Sequence, residues 1–361
     1  MKITLCRKPR GIALIIVMVC IFVLAMLAGG FAAHMKVETK LAMNANNETD
    51  LEWLGRSGFE MAAYVLGQQM KIPNQPYDAL NQKWAGGPGG TNDILTDISL
   101  TDVTLGNGRF SVKIVDNERK FNINMAQNNE PLLQQAFRLI GVDGSDVPTI
   151  IGSLQDWIDR DDGIHPSGAE TEYYQSLSPP YVAKNGPIDD LSELLFIKGI
   201  TPEIYWGPHS AEHPSAVFTS RQPGQGTGLL PVTSAVQAGL VDIFTPISSG
   251  QININTASVI ALQMIPGVTE STASEIIKMR SGPDGMDGTE DDVPLQNVGQ
   301  LVNAGGMSNQ GVQSIAAYCT VRSSTFEVTV DVEIAGSKRK YYGLLRRNSP
   351  NDVQVLHMRW E

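Results

Sequence analysis

The sequence predicts an α+β fold, in which a long N-terminal helix packs on a small antiparallel sheet and a large helical domain is inserted between the strands. Three observations predict this fold. Apolar residues recur at helical spacing from about residue 12 to residue 70. Strand-like alternation occurs near 109–124 and near 318–361, and the block at 128–317 between them is mostly helical in pattern. Because successive strands usually neighbour each other, we expect both strand segments to share one sheet.

The first element is a helix whose N-terminal part is long and apolar enough to cross a membrane. No residue from 12 to 33 is charged, and a helix needs about 20 apolar residues to span a bilayer. Four cations precede this segment, at Lys2, Arg7, Lys8 and Arg10. The positive-inside rule therefore predicts that the N-terminus is cytoplasmic and that the rest of the chain lies across the membrane.

Three interpretations of this segment compete: a cleaved secretory signal peptide, a plain signal anchor and the leader of a type IV pilin-like protein. A signal peptide has an apolar core of about 7–15 residues, which is shorter than the core here. At Gly11 and Ile12 a short basic leader meets the uncharged helix, and this junction resembles the site cut by prepilin peptidase. The resemblance implies cleavage between Gly11 and Ile12 and N-methylation of Ile12. Pro and Gly are absent from 31 to 54, which favours one continuous amphipathic helix past the bilayer.

The part of the chain beyond this helix begins and ends in predicted strands. Alternating apolar residues from Phe110 to Ile123 predict a β-hairpin over 109–124. Three further strands are predicted at 326–334, 339–346 and 353–360. These segments are expected to complete the sheet.

The block between the strand segments predicts short helices joined by loops. Apolar spacing near 3.6 predicts helices at 132–142, 150–158, 189–197, 256–265, 271–280, 297–302 and 310–316. A short strand is predicted at 251–255. The stretch 205–227 is rich in Gly, Pro, Ser and His and is predicted to be a loop.

The composition restricts the classes of function. The net charge is −11 although cations cluster before the first helix, so the remainder is strongly acidic and should repel phosphate backbones. No Ser–His–Asp spacing, nucleophile elbow or phosphate loop is present, and we therefore predict that the protein is not an enzyme. Only Cys319 of the three cysteines lies beyond the first helix, so no internal disulfide is expected there.

An acidic loop is the first candidate metal site. Residues 283–292 contain five acids and two glycines. Calcium takes about six to eight oxygen ligands from carboxylates and carbonyls, and glycines let the backbone turn its carbonyls inward. The distal glutamate of an EF-hand is missing, and a solvated acidic turn is the alternative interpretation. The candidate calcium ligands are Asp284, Asp287, Thr289, Asp291 and Asp292.

A glycine turn between two predicted helices raises an alternative function. Residues 265–268 and the helix after them resemble the helix-hairpin-helix module that binds DNA backbones. Residues 195–200 resemble the same module more weakly. A membrane-anchored, competence-type DNA-binding protein is therefore the alternative. Only Lys278 and Arg280 lie close enough to meet phosphates, and the acidic loop follows at once. The charge distribution favours the simpler interpretation, in which two helices pack through a Gly turn.

Taken in order, the motifs resemble the K-type minor pseudopilins of type II secretion systems. The leader junction, Leu154–Asp159, Leu191–Leu194 and Ile252–Ala257 occur in the order found in that family. Ile16 stands where most pilin-like subunits carry a glutamate, which is thought to compensate the N-terminal amine of the subunit ahead. The resemblance therefore implies a structural subunit at or near the tip of a fibre.

The resemblance also implies partners and a location. The expected partners are the I- and J-type minor pseudopilins, the major pseudopilin, prepilin peptidase and the inner-membrane secretion platform, with no nucleic acid. The expected location is the bacterial inner membrane, with a single pass and a periplasmic soluble domain. The resemblance also implies calcium in the insert, at a second group of acidic residues. The alternative interpretation is that these acids only lie at helix ends and on the surface. The candidates there are Asp159, Asp161, Asp162, Glu170 and Glu172.

The same reasoning divides the chain into five parts. The expected divisions are a leader at 1–11, a transmembrane segment at 12–33, a pilin-like helix with the first strands at 34–127, a helical insert at 128–317 and C-terminal strands at 318–361.

Overall fold

The structure is a computed structural model that describes residues 12–90, 94–208, 238–304 and 307–360. The helices in these ranges are α1 (Ile12–Gln69), α2 (Ile123–Ala126), α3 (Glu130–Ile140), α4 (Val147–Ile158), α5 (Thr171–Gln175), α6 (Pro202–Trp206), α7 (Leu240–Ile243), α8 (Val259–Gln263), α9 (Glu270–Arg280) and α10 (Asn309–Ile315). The strands are β1 (Val103–Leu105), β2 (Gly108–Asp116), β3 (Phe121–Asn122), β4 (Phe244–Thr245), β5 (Ile252–Asn253), β6 (Cys319–Thr320), β7 (Thr325–Ile334), β8 (Ser337–Ser349) and β9 (Asp352–Trp360).

One antiparallel sheet of five strands contains strands from both predicted β segments, the one near 109–124 and the one near 318–361. Its order is β1-β2-β7-β8-β9, so β2 and β7 are neighbours although about 200 residues separate them along the chain. Val112 of β2 pairs with Val330 of β7, Val330 pairs with Tyr341 of β8, and Tyr341 pairs with Trp360 of β9. The predicted helix and sheet, with helices inserted between the strands, are confirmed.

The C-terminal part of α1 covers one face of this sheet. Its buried apolar residues recur every three or four positions, which places them on one side of the helix. They are Leu51, Leu54, Phe59, Ala62, Val65 and Leu66. Glycines bring the helix close to the strands, since a Cβ on Gly58 would lie 2.4 Å from Val330 Cγ1 and one on Gly55 would lie 2.7 Å from the Tyr341 ring.

The inserted helices build a second hydrophobic core, which extends from Phe121 to Cys319. N-capping residues explain where several of its helices begin. The side chain of each one accepts a hydrogen bond from a backbone N–H that has no partner within the first turn. Asn129 caps α3, Ser258 caps α8 and Thr269 caps α9. Two short parallel pairs, β3 with β4 and β5 with β6, join distant segments of the insert.

A buried polar junction connects the two cores. Asp116 Oδ2, at the end of β2, accepts hydrogen bonds from Ser323 Oγ (2.7 Å), Asn253 Nδ2 (3.1 Å) and Thr256 Oγ1 (2.5 Å). Asn253 and Thr256 belong to the insert, whereas Ser323 lies two residues before the start of β7. Side chains that are fully removed from water need such partners, so the junction fixes the insert against the sheet.

The predicted hairpin at 109–124 is wrong in its second half. The strand ends at Asp116, whose carboxylate accepts a hydrogen bond from Glu118 N (2.8 Å) and caps a 3-10 turn. Phe121 then pairs in parallel with Phe244 instead of returning along β2. The hairpin partner of β2 is β1, a strand that the alternation did not reveal.

Other sequence predictions differ in extent. The helix predicted at 189–197 is a 3-10 helix over Leu191–Phe196, and the strand predicted at 251–255 is reduced to Ile252–Asn253. The predicted loop at 205–227 begins inside α6, and its part from 209 onward lies outside the described residues.

Candidate metal centre and N-terminal segment

Helix α4 places an aspartate in the middle of the insert core. Asp156 is the only charged residue from Val147 to Ile158, and its side chain is fully buried. The loop that follows α4 folds back over the helix, and this close approach requires glycine. A Cβ on Gly152 would lie 2.8 Å from Pro166 O, and one on Gly168 would lie 2.0 Å from Asp156 Oδ2.

The returning loop brings His165 and Asp159 to Asp156. Asp156 Oδ1 accepts a hydrogen bond from His165 N (2.9 Å) and lies 2.5 Å from His165 Nδ1. His165 Nδ1 is also 3.5 Å from Asp159 Oδ2. Ligand atoms from these three residues all lie within 4.8 Å of one another, a spacing that one metal ion can bridge.

Four carboxylate oxygens in this region are buried and accept no hydrogen bond from the residues that the structure describes. They are Asp156 Oδ2, Asp159 Oδ1 and both oxygens of Glu170, whose side chain is only 4% exposed. Burial raises the pKa of the Glu170 carboxyl, and the charges of Asp156 and Asp159 raise it further. Burial likewise raises the pKa of Asp159. A hard cation would satisfy these oxygens and offset their mutual repulsion.

The predicted residues of this cluster have different surroundings. Asp159 is half-buried in the group with Asp156 and His165, and its charge contributes to the raised pKa of the buried Glu170. Asp161 is exposed, and its Oδ1 accepts a hydrogen bond from Gly163 N (2.8 Å) within its own loop. Asp162 Oδ1 accepts one from Asn185 Nδ2 (3.2 Å). Glu172, in α5, is exposed.

Sequence reasoning missed Asp156 and His165 as members of the site. A signal for Asp156 was present, because a single acid inside an otherwise uncharged, apolar helix must be buried with a partner. His165 carried no such signal. Its position over Asp156 depends on the return of the loop, which the sequence pattern does not specify.

The other predicted metal site, the loop at 283–292, is stabilised by donors from its own chain. Arg280 is 4% exposed, and its guanidinium donates to both carboxylate oxygens of Asp287 at 3.0 and 2.6 Å. The Thr289 hydroxyl donates to Asp291 Oδ1 (2.8 Å) and helps to lower the pKa of Asp291. Asp292 Oδ2 accepts from Gly288 N (2.8 Å). Each of these three carboxylates has a hydrogen-bond partner. The group of Asp156, Asp159, His165 and Glu170, called the α4 cluster below, instead contains four buried oxygens without one.

Asp284 completes this loop in the same way. Its Oδ1 accepts a hydrogen bond from Met286 N (2.7 Å), and its own N–H donates to Asp291 Oδ2 (3.0 Å). Four of the five acids of the loop, Asp284, Asp287, Asp291 and Asp292, therefore accept hydrogen bonds from within the chain.

The helix-hairpin-helix geometry is present but its charges oppose DNA binding. α8 and α9 are joined by a turn in which Gly267 has φ +81°, a conformation that favours glycine. Arg280, one of the two cations expected to meet phosphates, is buried against Asp287. Exposed acids, Glu270 and Glu275, lie on the same helix as Lys278. The alternative function, DNA binding, is therefore not favoured.

The N-terminal half of α1 is apolar and exposed. From Leu14 to Phe31 its large apolar side chains are about half to two thirds exposed, including Ile16 at 56%. Of the helices that the structure describes, α1 is long and apolar enough to cross a membrane, which suggests that the chain is membrane-anchored. The predicted cleavage site involves Gly11, which lies outside the described residues, and Ile12, the first residue of α1.

Two family profiles match separate parts of the insert. The profile described as "Type II secretion system (T2SS), protein K" matches residues 114–206, which include the whole α4 cluster. The profile described as "Helix-hairpin-helix motif" matches residues 248–320, which include α8, α9 and α10.

Several curated relatives are also named type II secretion system protein K. The chain is 23% identical to Type II secretion system protein K of Aeromonas hydrophila over 217 residues, which are 55% of this chain and 62% of the relative. It is 27% identical to that of Klebsiella pneumoniae over 214 residues, or 55% and 60%. The chain thus spans about three fifths of the length of these relatives. With the protein K of Pseudomonas aeruginosa it is 23% identical over 362 residues, or 97% and 92%.

A solved structure has the same fold. A chain in the crystal structure of the GspK-GspI-GspJ complex from the enterotoxigenic Escherichia coli type 2 secretion system matches with a TM-score of 0.61 and 18% identity. The match covers 89% of this chain and 99% of that chain. The chain is thus similar to type II secretion system protein K in part of its insert by the family profile, over nearly its whole length by one relative, and in fold by the solved structure.

Proposed function

We propose that this chain is a minor pseudopilin at or near the tip of a type II secretion pseudopilus, with a structural role in protein export. The observation that carries the proposal is the continuity of α1, which runs for 58 residues from an exposed apolar segment into the core of the sheet. One rigid element can then hold the subunit in the membrane and later pack it in a fibre. The role needs no catalytic group.

The N-terminal details of the proposal follow from charge and sequence. Cleavage after Gly11 by prepilin peptidase would free Ile12 as the mature N-terminus, and N-methylation of Ile12 would follow. The cations before α1 favour a cytoplasmic N-terminus, an inner-membrane anchor and a periplasmic soluble domain.

A terminal position in the fibre is supported by two features. Ile16 is apolar where a repeating subunit would need a carboxylate to meet the N-terminal amine of the subunit ahead. The insert adds a second core to the helix-and-sheet unit, and this bulk opposes close side-by-side repetition along a fibre. The proposed neighbours are the I- and J-type minor pseudopilins and, below them, the major pseudopilin. The solved complex of GspK, GspI and GspJ supports the choice of the first two.

Calcium is the proposed ion of the α4 cluster. Asp156, Asp159 and Glu170 would hold it, because they supply the four buried oxygens that lack a donor. His165 would keep Asp156 in place through its contact with Oδ1 rather than bind the ion. The ion would act structurally, by neutralising the buried acids and fixing the loop after α4. The loop at 283–292 is the weaker candidate, since Asp284, Asp287, Asp291 and Asp292 already accept hydrogen bonds within the chain.

Co-assembly tests the proposed function. The full-length chain, purified in detergent, is mixed with the I- and J-type subunits of the same bacterium, and the mass of the product is measured by light scattering. We expect one defined complex that contains all three chains. Failure of the chain to associate with either subunit at micromolar concentration would contradict the assembly role.

A further inference from the structure

The two edges of the five-stranded sheet differ greatly. β1, at one edge, has three residues, whereas β9, at the other, has nine. Among the described strands, β9 pairs with β8 alone. Alternate residues of a strand in this position direct their N–H and C=O groups toward the open side, where they form a template for another strand.

β9 carries little of the protection that such edges usually have. Natural edge strands commonly use proline, lysine or a short length to prevent further pairing. The segment from Asp352 to Trp360 contains neither proline nor lysine. Its apolar side chains are well exposed, with Val355 at 43%, Leu356 at 46% and Trp360 at 59%. Two register shifts with β8 occur, one at Leu356 and one between Arg347 and Ser349. Such bulges are the protective feature that β9 does have.

The register separates the side chains of β9 onto two faces. Val355 pairs with Leu345 and Trp360 with Tyr341, and both β8 residues are buried beneath α1. The exposed apolar residues Val355 and Trp360 therefore extend the apolar face of the sheet beyond its last strand. A further strand on this side would need apolar residues to continue the same face.

The opposite face at this edge is basic. His357 pairs with Leu344 and Arg359 with Tyr342, on the side of the sheet away from α1. The outward residues of β8 add Lys338, Lys340 and Arg346. Arg359 is 55% exposed and lies 3.7 Å from Asp190 of the insert. Lys338 and Lys340 form ion pairs with Glu333 and Asp331 of β7 at 3.6 and 3.3 Å. Positive charge beside β9 therefore comes from Arg346 and Arg359, and it favours an acidic partner strand.

We propose that the open edge of β9 binds an extended strand of a neighbouring subunit in the same fibre, in which apolar and acidic residues alternate. The apolar residues of that strand face Val355 and Trp360, and its acidic residues face His357 and Arg359. Main-chain hydrogen bonds supply affinity and the alternating side chains supply specificity. The inference rests on the proposed function, because it takes the partner from among the subunits with which this chain assembles.

A pair of matched edge variants tests this inference. Leu356→Lys places a charge on the β9 edge, and Leu105→Lys places the same charge on the β1 edge, where Leu105 is 50% exposed. A third variant, Arg359→Glu, reverses the charge that the partner strand is expected to meet. Each full-length protein is titrated in detergent with the I- and J-type subunits of the same bacterium. We expect Leu356→Lys and Arg359→Glu to weaken binding at least tenfold and Leu105→Lys to leave it unchanged.

Amide exchange of the wild-type chain supplies a measurement that does not depend on variants. On addition of the two subunits, amides from 352 to 360 should become protected, while those of 103–105 should not. Unchanged binding by Leu356→Lys, or protection at β1 instead of β9, would overturn the inference while the assembly role stands. Self-association of the chain through β9 would also overturn it. Failure of the wild-type chain to bind either subunit would overturn the assembly role, and the edge proposal with it.

Discussion

Buried acids in this chain lie in two contrasting environments. In the junction, Asp116 Oδ2 accepts hydrogen bonds from Ser323, Asn253 and Thr256, so this buried oxygen has donors. In the α4 cluster, Asp156 and Glu170 are also buried, yet three of their oxygens have no described donor. Uncompensated buried charge is costly, and a bound cation is the compensation that fits these oxygens best.

Calcium should therefore stabilise the wild-type chain. A ligand that binds only the folded state adds about 2.7 kcal/mol to the free energy of unfolding when its concentration is 100 times Kd. We expect calcium to raise the Tm of the full-length protein in detergent, as followed by circular dichroism. Glu170→Gln removes one buried charge and should abolish most of this rise.

Asp161→Asn is the matched control for the calcium experiment. Asp161 belongs to the same loop, but it is exposed and bonded to Gly163 N, so the calcium-dependent rise in Tm should remain. Equal rises in the wild-type and Glu170→Gln proteins would show that the α4 cluster is not the calcium site. Loss of the rise in Asp287→Asn alone would assign the ion to the loop at 283–292.

Asp116 should make stability depend on pH. Burial, and then the charge of Glu118, raises the pKa of Asp116 to about 8, above the value of about 3.9 for an unfolded aspartate. The folded state therefore holds the proton more tightly. The stability from this group is full below about pH 4 and is lost as pH rises through about 8.

Asp116→Asn provides the corresponding measurement. The free energy of unfolding, obtained from denaturant titrations between pH 5 and pH 8, should fall more steeply with pH for the wild-type protein than for the variant. The difference in slope can reach about 1.4 kcal/mol per pH unit, because one proton is released. All other titrating groups are common to both proteins. Equal dependence of the free energy of unfolding on pH in the two proteins would therefore contradict the raised pKa of Asp116.

Individual site residues were only partly predictable from the sequence. Asp159 and Glu170 were identified because acids cluster near them, and both belong to the buried group. Asp161 was included for the same reason, but its exposed side chain bonds within its own loop. Local charge density does not show which acids turn inward, because this depends on the loop that returns over Gly152.

Among the elements, α1 depends on glycine where it meets the sheet. A larger residue at Gly58 would overlap Val330, a fully buried residue of β7. We expect Gly58→Leu to lower the free energy of unfolding by about 1–3 kcal/mol through overpacking, even though leucine is the better helix former. Chemical unfolding of the full chain in detergent measures this loss.

Gly29→Leu is the control on the same helix, since nothing lies within 4 Å of a Cβ at Gly29. It should leave the unfolding of the soluble part unchanged. Equal effects of the two substitutions would mean that helix propensity, rather than contact with the sheet, determines stability at Gly58.

The strands show why the alternation of apolar residues predicts a strand better than it predicts the strand with which it pairs. Alternation correctly indicated β2 and β7, because each buries one face under α1. The strands predicted at 339–346 and 353–360 correspond to β8 and β9, of which only β8 contains buried residues. Alternation did not reveal that β2 ends at Asp116. The strand ends there because the Asp116 side chain caps a 3-10 turn and the following residues pair with β4, a distant segment. The two-residue parallel pairs of the insert have too few residues to show any periodicity.

The whole molecule consists of two cores joined by the polar junction. The sheet core and the insert core follow from the helical and alternating patterns of the sequence, so the overall architecture was predictable. The junction was not, because Asp116, Asn253 and Ser323 are distant in sequence and individually unremarkable polar residues. It matters for the proposed tip role, since a rigid attachment lets forces on the insert reach α1 through the sheet.

The most direct test of the pilin-like assignment is the mature N-terminus. The full-length chain is co-expressed with a prepilin peptidase, extracted from the membrane and analysed by mass spectrometry. We predict that the protein begins at Ile12 and carries an N-methyl group on that residue. An intact Met1, or cleavage near Ala33, would contradict the assignment and leave an anchored or exported domain without a place in a fibre.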